Sequence, residues 1–207
     1  MSVSIFWRTM PSSVIAANGC DMLCHCIEAF TANNAQPFTD ALALYAIPLI
    51  ANNIVSLYRG EGTDEQWPKV CLAGTIGGMV INTAGITLGH AMEHPVSGLR
   101  NVTHGRGLAA IEPAAIEATY RYNRFKFGRV ARMLGGFTAE DCAPRMRALL
   151  KDLDLDVTLG DLGIEKKDIP WLSQNARKVS PGNLVNTPGP ESVTSEESLE
   201  SLYASMI

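Results

Sequence analysis

Positions 70–88 run for about 19 residues without a charge. Such a stretch has two destinations: a bilayer, whose hydrocarbon core takes about 20 apolar residues as helix, or the interior of a packed helical domain. Gly74, Gly77, Gly78 and Gly85 interrupt it, together with Asn82 and three threonines. Charged and histidine-rich sequence follows at once. The dilution points to a core helix and not to a membrane span. The glycines then let neighbouring helices approach closely, at some cost in helix propensity.

The rest of the chain reads as helix too. Apolar residues at helical spacing (Met22, Leu23, Cys26, Ile27, Phe30) predict a helix from close to Asp21, after a turn at Asn18-Gly19 and an extended lead-in up to Pro11. Asp21, His25 and Glu28 fall on a different face of it. Thr39-Asp40 caps a second helix running to about Tyr58, kinked at Pro48. Pro68 opens the long uncharged helix, which ends near Asn82, and a further segment covers about 86–97. A loop follows over 98–105, then helices over 108–122 and 124–134. Thr138, with Asp141 three residues on, opens another running to about Leu153. A short helix over 170–178, a Pro/Gly/Asn-rich loop over 180–192 and a last helix capped by Thr194 with Glu197 complete the reading. Neither alternating strand pairs nor hairpin signals occur, so the fold class expected is all-α, a multihelical bundle. No G-x-G-x-x-G opens a helix after a strand. Gly74-x-x-Gly77-Gly78 lies inside a helical pattern and is not a phosphate loop.

Composition bounds the function. The 207 residues are 46% hydrophobic and 18% charged, a globular balance. Net charge is −4 with no basic stripe, which argues against a nucleic-acid partner. Five cysteines, an odd number, and no recognisable signal peptide lead to an expectation of free thiols in a reducing, cytoplasmic setting.

The chemistry lies in the histidines. There are four, His25, His90, His94 and His104, and three of them fall within 15 residues. Asp21 and His25 stand four apart, one helical turn, where a carboxylate and an imidazole can share a divalent metal. His90 and His94 are also four apart, and His104 falls in the predicted loop. Taken singly, an Asp/His pair is more often a surface pair, and a lone histidine a hydrogen-bonded structural residue. Taken together they favour a metal site, for which iron(II), zinc, nickel and cobalt are all suitable. Cys20, Cys24 and Cys26 flank His25, but their spacing is not that of a structural zinc site, and they read as small buried hydrophobes. His90-Ala91-Met92-Glu93-His94 also fits H-x-x-E-H, in which both histidines bind zinc and the glutamate is the base of a hydrolase. That reading leaves Asp21, His25 and His104 unexplained. A phosphohydrolase of the His-Asp type needs an adjacent His-Asp pair, and none is present.

The string Met10-Pro11, then Ala17-Asn18-Gly19-Cys20-Asp21-Met22-Leu23-Cys24-His25-Cys26-Ile27-Glu28, resembles the start of the C-terminal domain of iron-containing (group III) alcohol dehydrogenases, related to dehydroquinate synthase-like folds. Gly89-His90-Ala91-Met92-Glu93-His94-Pro95-Val96-Ser97-Gly98 and Asn101-Val102-Thr103-His104-Gly105-Arg106-Gly107 resemble its later motifs in order and gap. Asn186-Thr187-Pro188 ahead of the last helix extends the likeness to the end of the chain. The resemblance implies Asp21, His25, His90 and His104 as ligands of Fe(II), with zinc as the alternative metal. It implies His94 as a catalytic and cofactor-binding residue beside the nicotinamide of NAD or NADP, and no catalytic role for Glu93. The implied reaction interconverts a small alcohol and an aldehyde. Residues 13–207 would form the metal-binding helical domain and 1–12 a remnant of the inter-domain junction. The family's N-terminal nucleotide-binding domain is expected to be absent. These residues alone would then have negligible dehydrogenase activity, and the apolar face that domain covers would drive formation of a homo-oligomer. A non-catalytic metal-binding or oligomerising fragment of the same family is the alternative, ahead of the H-x-x-E-H metallohydrolase.

Overall fold

The computed structural model describes residues 8–207; residues 1–7, which carry most of the predicted lead-in, lie outside the described residues. Helix α1 (Ser12–Thr31) starts well before Asp21 and runs through Asn18-Gly19 without a turn. Ile15, Ala16, Ala17, Cys20, Leu23, Cys24, Ile27 and Phe30 are all buried along it. Burial on nearly every side outweighs the local turn preference of Asn-Gly, since propensity is a weak prior against packing. Helix α2 (Pro37–Ala51) is capped by Gln36, three residues before the predicted Thr39, because Gln36 and Thr39 form the capping pair. The chain does not remain helical to Tyr58. The Asn53 side chain donates to the Leu49 carbonyl at 2.8 Å, competing with the helical ladder, and a short α3 (Ile54–Tyr58) follows as a separate element.

Helix α4 (Gln66–Ala84) holds most of the uncharged stretch. Val70, Ala73, Ile76, Val80 and Ala84 are buried, but Leu72 and Met79 are about half exposed, at 47% and 52%. The expected core helix is therefore buried on one face only. Gly74 and Gly77 face α1, while Gly78 faces open space. At Gly85 the backbone turns left-handed, and α5 (Leu88–Arg100) leaves at 104° to α4. No single helix among the described residues is long and apolar enough to cross a membrane; this bent pair passes by length and composition only.

Helix α6 (His104–Thr119) corrects the predicted loop over 98–105, of which only residues 101–103 are irregular. The carbonyl of Thr103 accepts from the N–H groups of Arg106 and Gly107, so the helix begins at His104 itself. Helix α7 (Arg124–Met133) and a 3-10 turn (Ala139–Asp141) lead into α8 (Cys142–Asp152), with Asp141 taking the N–H groups of Phe137 and Thr138 as the spacing predicts. Then come α9 (Ile169–Val179), α10 (Pro181–Asn186) and α11 (Glu196–Ser205). Two predictions fail here. The 180–192 loop contains α10, started by Pro181 in the first turn, where a missing N–H costs nothing. The cap of α11 is Ser195, which accepts from the Ser198 N–H at 3.2 Å; Thr194 belongs to the preceding turn.

Two apolar cores result. One joins α1 to α4 with α7, α8 and one face of α6; the other joins α5 and the opposite face of α6 to α9, α10 and α11. All five cysteines are free thiols, and every one except Cys71 is buried, as small hydrophobes would be. Two buried polar anchors tie the C-terminal helices to α5 and to the corner between it and α4. Asn186 donates to the carbonyls of Ala84 and Ile86 at 2.7 and 3.1 Å, and the Tyr203 hydroxyl donates to the Met92 carbonyl at 2.6 Å. The seam between the cores, where α1, α5 and α6 meet, carries every histidine of the chain.

Candidate metal centre

Three elements deliver the polar groups. Helix α1 presents Asp21 and His25 one turn apart, α5 presents His90 and His94 one turn apart, and the first residue of α6 is His104. Placing His104 at a helix start requires α6 to begin hard against α1. Gly105 makes that possible: a Cβ there would stand 2.0 Å from the Ala17 carbonyl oxygen. Only a residue without a side chain permits that approach.

The geometry converges on one atom. Oδ1 of Asp21 lies 3.2 Å from Nε2 of His25, 3.4 Å from Nε2 of His90 and 3.6 Å from Nε2 of His104. These distances are long and poorly aligned for hydrogen bonds. Asp21 Oδ1 and His90 Nε2 are indeed buried atoms without a hydrogen-bond partner. Such orphans are rare in folded chains and point to an ion or water between them. The His25 and His90 rings stack at 4.9 Å, and His104 is tilted against His90 at 5.3 Å.

The far sides of two rings are held by buried carboxylates. Nδ1 of His90 meets Oε1 of Glu28 at 2.6 Å, and Nδ1 of His104 meets Oε2 of Glu93. Glu28 is also bonded by the Thr87 N–H and hydroxyl, and Glu93 by the Ser97 hydroxyl. A carboxylate on Nδ1 puts the proton there and leaves the Nε2 lone pair facing Asp21. The sequence places Glu28 only on a face with Asp21 and His25, and gives Glu93 a role only in the H-x-x-E-H alternative, as a base and not as a partner of His104. The one available signal for Glu28 was its three-residue spacing from His25 on that face.

Electrostatics agree with a cation-shaped gap. Burial would raise the Asp21 carboxyl, but the adjacent imidazoles of His90, His25 and His104 hold it below the usual range. Burial pulls His90 down, yet Glu28 and Asp21 overcome it and push the metal-free ring up to about 10. His104 is raised, chiefly by Glu93, whereas burial lowers His25 and His94. A group that holds a proton so strongly when empty competes with a metal for the same lone pair, the ordinary linkage of imidazole sites.

His94 stands apart from the Asp21 set. Its Nδ1 meets the Ser180 hydroxyl at 3.2 Å, and its ring stacks on His104 with centroids 5.7 Å apart. Glu93, His94 and His104 do place three ligand atoms within 4.8 Å of one another, as do Asp21, His90 and His104. In the first group, however, Glu93 is fully buried and already engaged by Ser97 and His104. Beside Asp21 a cleft of about 510 Å³ opens, lined by Met22, Cys71, Leu72 and Thr75 among others. A larger cavity of about 710 Å³ lies between α9, α10 and the start of α11, and no histidine lines it.

Fold and site together define an all-helical domain built around an imidazole–carboxylate cluster. The chain belongs to the Fe-containing alcohol dehydrogenase family, whose C-terminal domain model matches residues 15–206. It is 31% identical to 1,3-propanediol dehydrogenase of Klebsiella pneumoniae over 208 residues, covering 90% of this chain and 53% of that protein. It is 30% identical to lactaldehyde reductase of Escherichia coli (strain K12) over 175 residues, covering 81% and 45%. Among solved structures, an archaeal halo-thermophilic Red Sea brine pool alcohol dehydrogenase superposes with a TM-score of 0.90 at 27% identity, over 97% of this chain and 52% of that one. The chain thus spans about half the length of the relatives it matches.

Proposed function

We propose that these residues supply the metal-binding half of an NAD(P)-dependent alcohol dehydrogenase acting on small alcohols and aldehydes. Residues 13–207 form the metal-binding domain, and residues 1–12 belong to the junction with a nucleotide-binding unit. Asp21, His25, His90 and His104 hold one Fe(II), with zinc as the alternative. The observation that carries this reading is the convergence of three Nε2 atoms on Asp21 Oδ1 at 3.2–3.6 Å. One carboxylate with three neutral imidazoles suits either metal and gives a bound divalent ion net positive charge. When bound, such an ion acts as a Lewis acid toward an alcohol or carbonyl oxygen.

The chain's own groups do the positioning. Glu28 and Glu93 fix the tautomers of His90 and His104. His94, kept neutral by burial and steadied by Ser180, forms an uncharged wall beside the site, where the substrate and the nicotinamide ring meet. The cleft beside Asp21, with Met22 and Leu72 in its wall, offers an apolar side against which a short carbon chain can lie. Leu72 and Met79 expose an apolar face on α4, which a second domain or a second copy would cover. The hydrolase alternative needs Glu93 free to activate water, and its engagement with Ser97 and His104 argues against that.

The test uses the protein carrying these residues together with its nucleotide-binding unit. Loaded with Fe(II), it is expected to reduce NAD+ or NADP+ with a short diol or primary alcohol. Chelation should abolish this and Fe(II) or Zn(II) should restore it. Turnover indifferent to chelation, or none with any short alcohol in a folded, metal-loaded protein, would overturn the proposal.

A further inference from the structure

His90 and His104 each have a carboxylate behind Nδ1, but His94 has the hydroxyl of Ser180 there, at 3.2 Å. The His94 ring lies flat on His104, with centroids 5.7 Å apart, and edge-on to His90 at 5.9 Å. Ring packing of this kind is nearly blind to a half-turn about the terminal side-chain torsion, which exchanges Nδ1 with Cδ2 and Nε2 with Cε1. Only a group that tells nitrogen from carbon fixes the orientation. Among the described residues Ser180 is the one hydrogen-bond partner of this ring.

Ser180 forgoes the task its place offers. It stands at the head of α10, where a serine side chain ordinarily accepts from the N–H groups of the helix it opens. Here it makes no such cap. Its backbone is already engaged: the N–H donates to the Ala176 carbonyl at 3.1 Å, and the carbonyl accepts from the N–H groups of Asn183 and Leu184 at 3.1 and 3.2 Å. The residue is buried, at 5% exposure, and His94 is the only partner of its hydroxyl. A buried hydroxyl without a partner costs free energy, so the contact holds both sides. The seat itself is firm. Helix α10 has six residues and is pinned at its far end by Asn186 to the corner between α4 and α5. The Asn34 N–H donates to Oδ1 of Asn186 at 2.9 Å, and the Asn33 amide donates to the carbonyls of Val185 and Thr187 at 3.1 and 2.8 Å.

We infer that Ser180 is a positioning residue for His94: from its clamped seat at the head of α10 it selects the ring orientation that puts Nε2, and not Cε1, at the accessible edge of the histidine cluster. Nε2 of His94 has no partner among the described residues and is not one of the sealed, unpartnered atoms that Asp21 and His90 contribute. It is the nitrogen left for a ligand to meet. The inference rests on the proposed dehydrogenase reading, in which that edge borders the substrate and the nicotinamide.

Ser180→Ala removes the hydroxyl and little else, and Ser180→Thr keeps it. Nitrogen-15 spectra of the histidine-labelled, metal-free protein should show the Nδ1 signal of His94 displaced in Ser180→Ala and unmoved in Ser180→Thr. In the protein with its nucleotide-binding unit and Fe(II), Ser180→Ala should lower kcat by about three- to tenfold, the scale of one neutral hydrogen bond, with KM nearly unchanged. On a His94→Ala background the same change should cost nothing further, because residues that act through one another are not additive. An unmoved Nδ1 signal in Ser180→Ala, or additive losses in the double variant, would overturn the role. So would a Ser180→Thr protein that keeps the signal yet loses as much kcat as Ser180→Ala. If Ser180→Ala does not fold, Ser180→Cys, whose thiol bonds only weakly, takes its place with the same expectations. A His94→Ala protein as fast as wild type overturns the part of the ring, and of Ser180 with it, but leaves the metal site standing. Wild-type protein that turns over no alcohol overturns the dehydrogenase reading, and the spectrum alone then decides whether Ser180 holds the ring.

Discussion

Replacing Asp21 with alanine is expected to lower the affinity for Fe(II) or Zn(II) by more than about 100-fold while leaving the helical fold intact. Asp21 is the one carboxylate facing the three Nε2 atoms, and its Oδ1 is the point on which they converge. Loss of an outer partner of a metal ligand costs about 10- to 100-fold; loss of the only charged inner ligand should exceed that. Its side chain is 26% exposed, so its removal opens no sealed core cavity. Asp21→Asn is the sharper variant, because it keeps the volume and removes the charge. Metal content by mass spectrometry together with circular dichroism reads both effects. Normal metal content in a folded Asp21→Asn protein would mean that the ion, if present, sits elsewhere.

Gly105→Ala should be the most disruptive single methyl in the molecule. The added Cβ would meet the backbone of Ala17 at 2.0, 2.5 and 2.9 Å from its O, C and Cα atoms. Backbone in the middle of a buried helix cannot swing aside as the end of a side chain can. α6 must therefore back away from α1, at a cost of about 3 kcal/mol or more. For a chain of this size that lowers Tm by roughly 6–12 °C. The same retreat carries His104, the adjacent residue, away from Asp21, so metal affinity should fall with stability. Gly78→Ala is the control, since nothing lies within 4 Å of a Cβ there and the helix should tolerate or prefer alanine. A Gly105→Ala protein that melts with wild type and holds its metal would contradict the packing described.

The helical class, the number and order of the long helices, and the i,i+4 pairs on α1 and α5 were legible in the sequence, because each depends on near neighbours. What failed depends on distant ones. The turn predicted at Asn18-Gly19 gives way to burial around α1. The loop predicted at 98–105 shrinks because Gly105 lets α6 start against Ala17, 88 positions earlier in the chain. The four histidines were picked out by spacing, and spacing could not say that His94 turns toward Ser180 while His104 joins Asp21. The carboxylates behind the rings were harder still. Glu93 reaches His104 across a helix boundary, and Glu28 reaches His90 only once α1 and α5 have packed.

The most direct test of the account is an anomalous diffraction map of the zinc- or iron-loaded protein, collected at the metal edge. A single peak within coordination distance of Asp21 and of Nε2 of His25, His90 and His104 is the result predicted. A peak among Glu93, His94 and His104 would contradict it, as would a loaded crystal in which no peak touches Asp21.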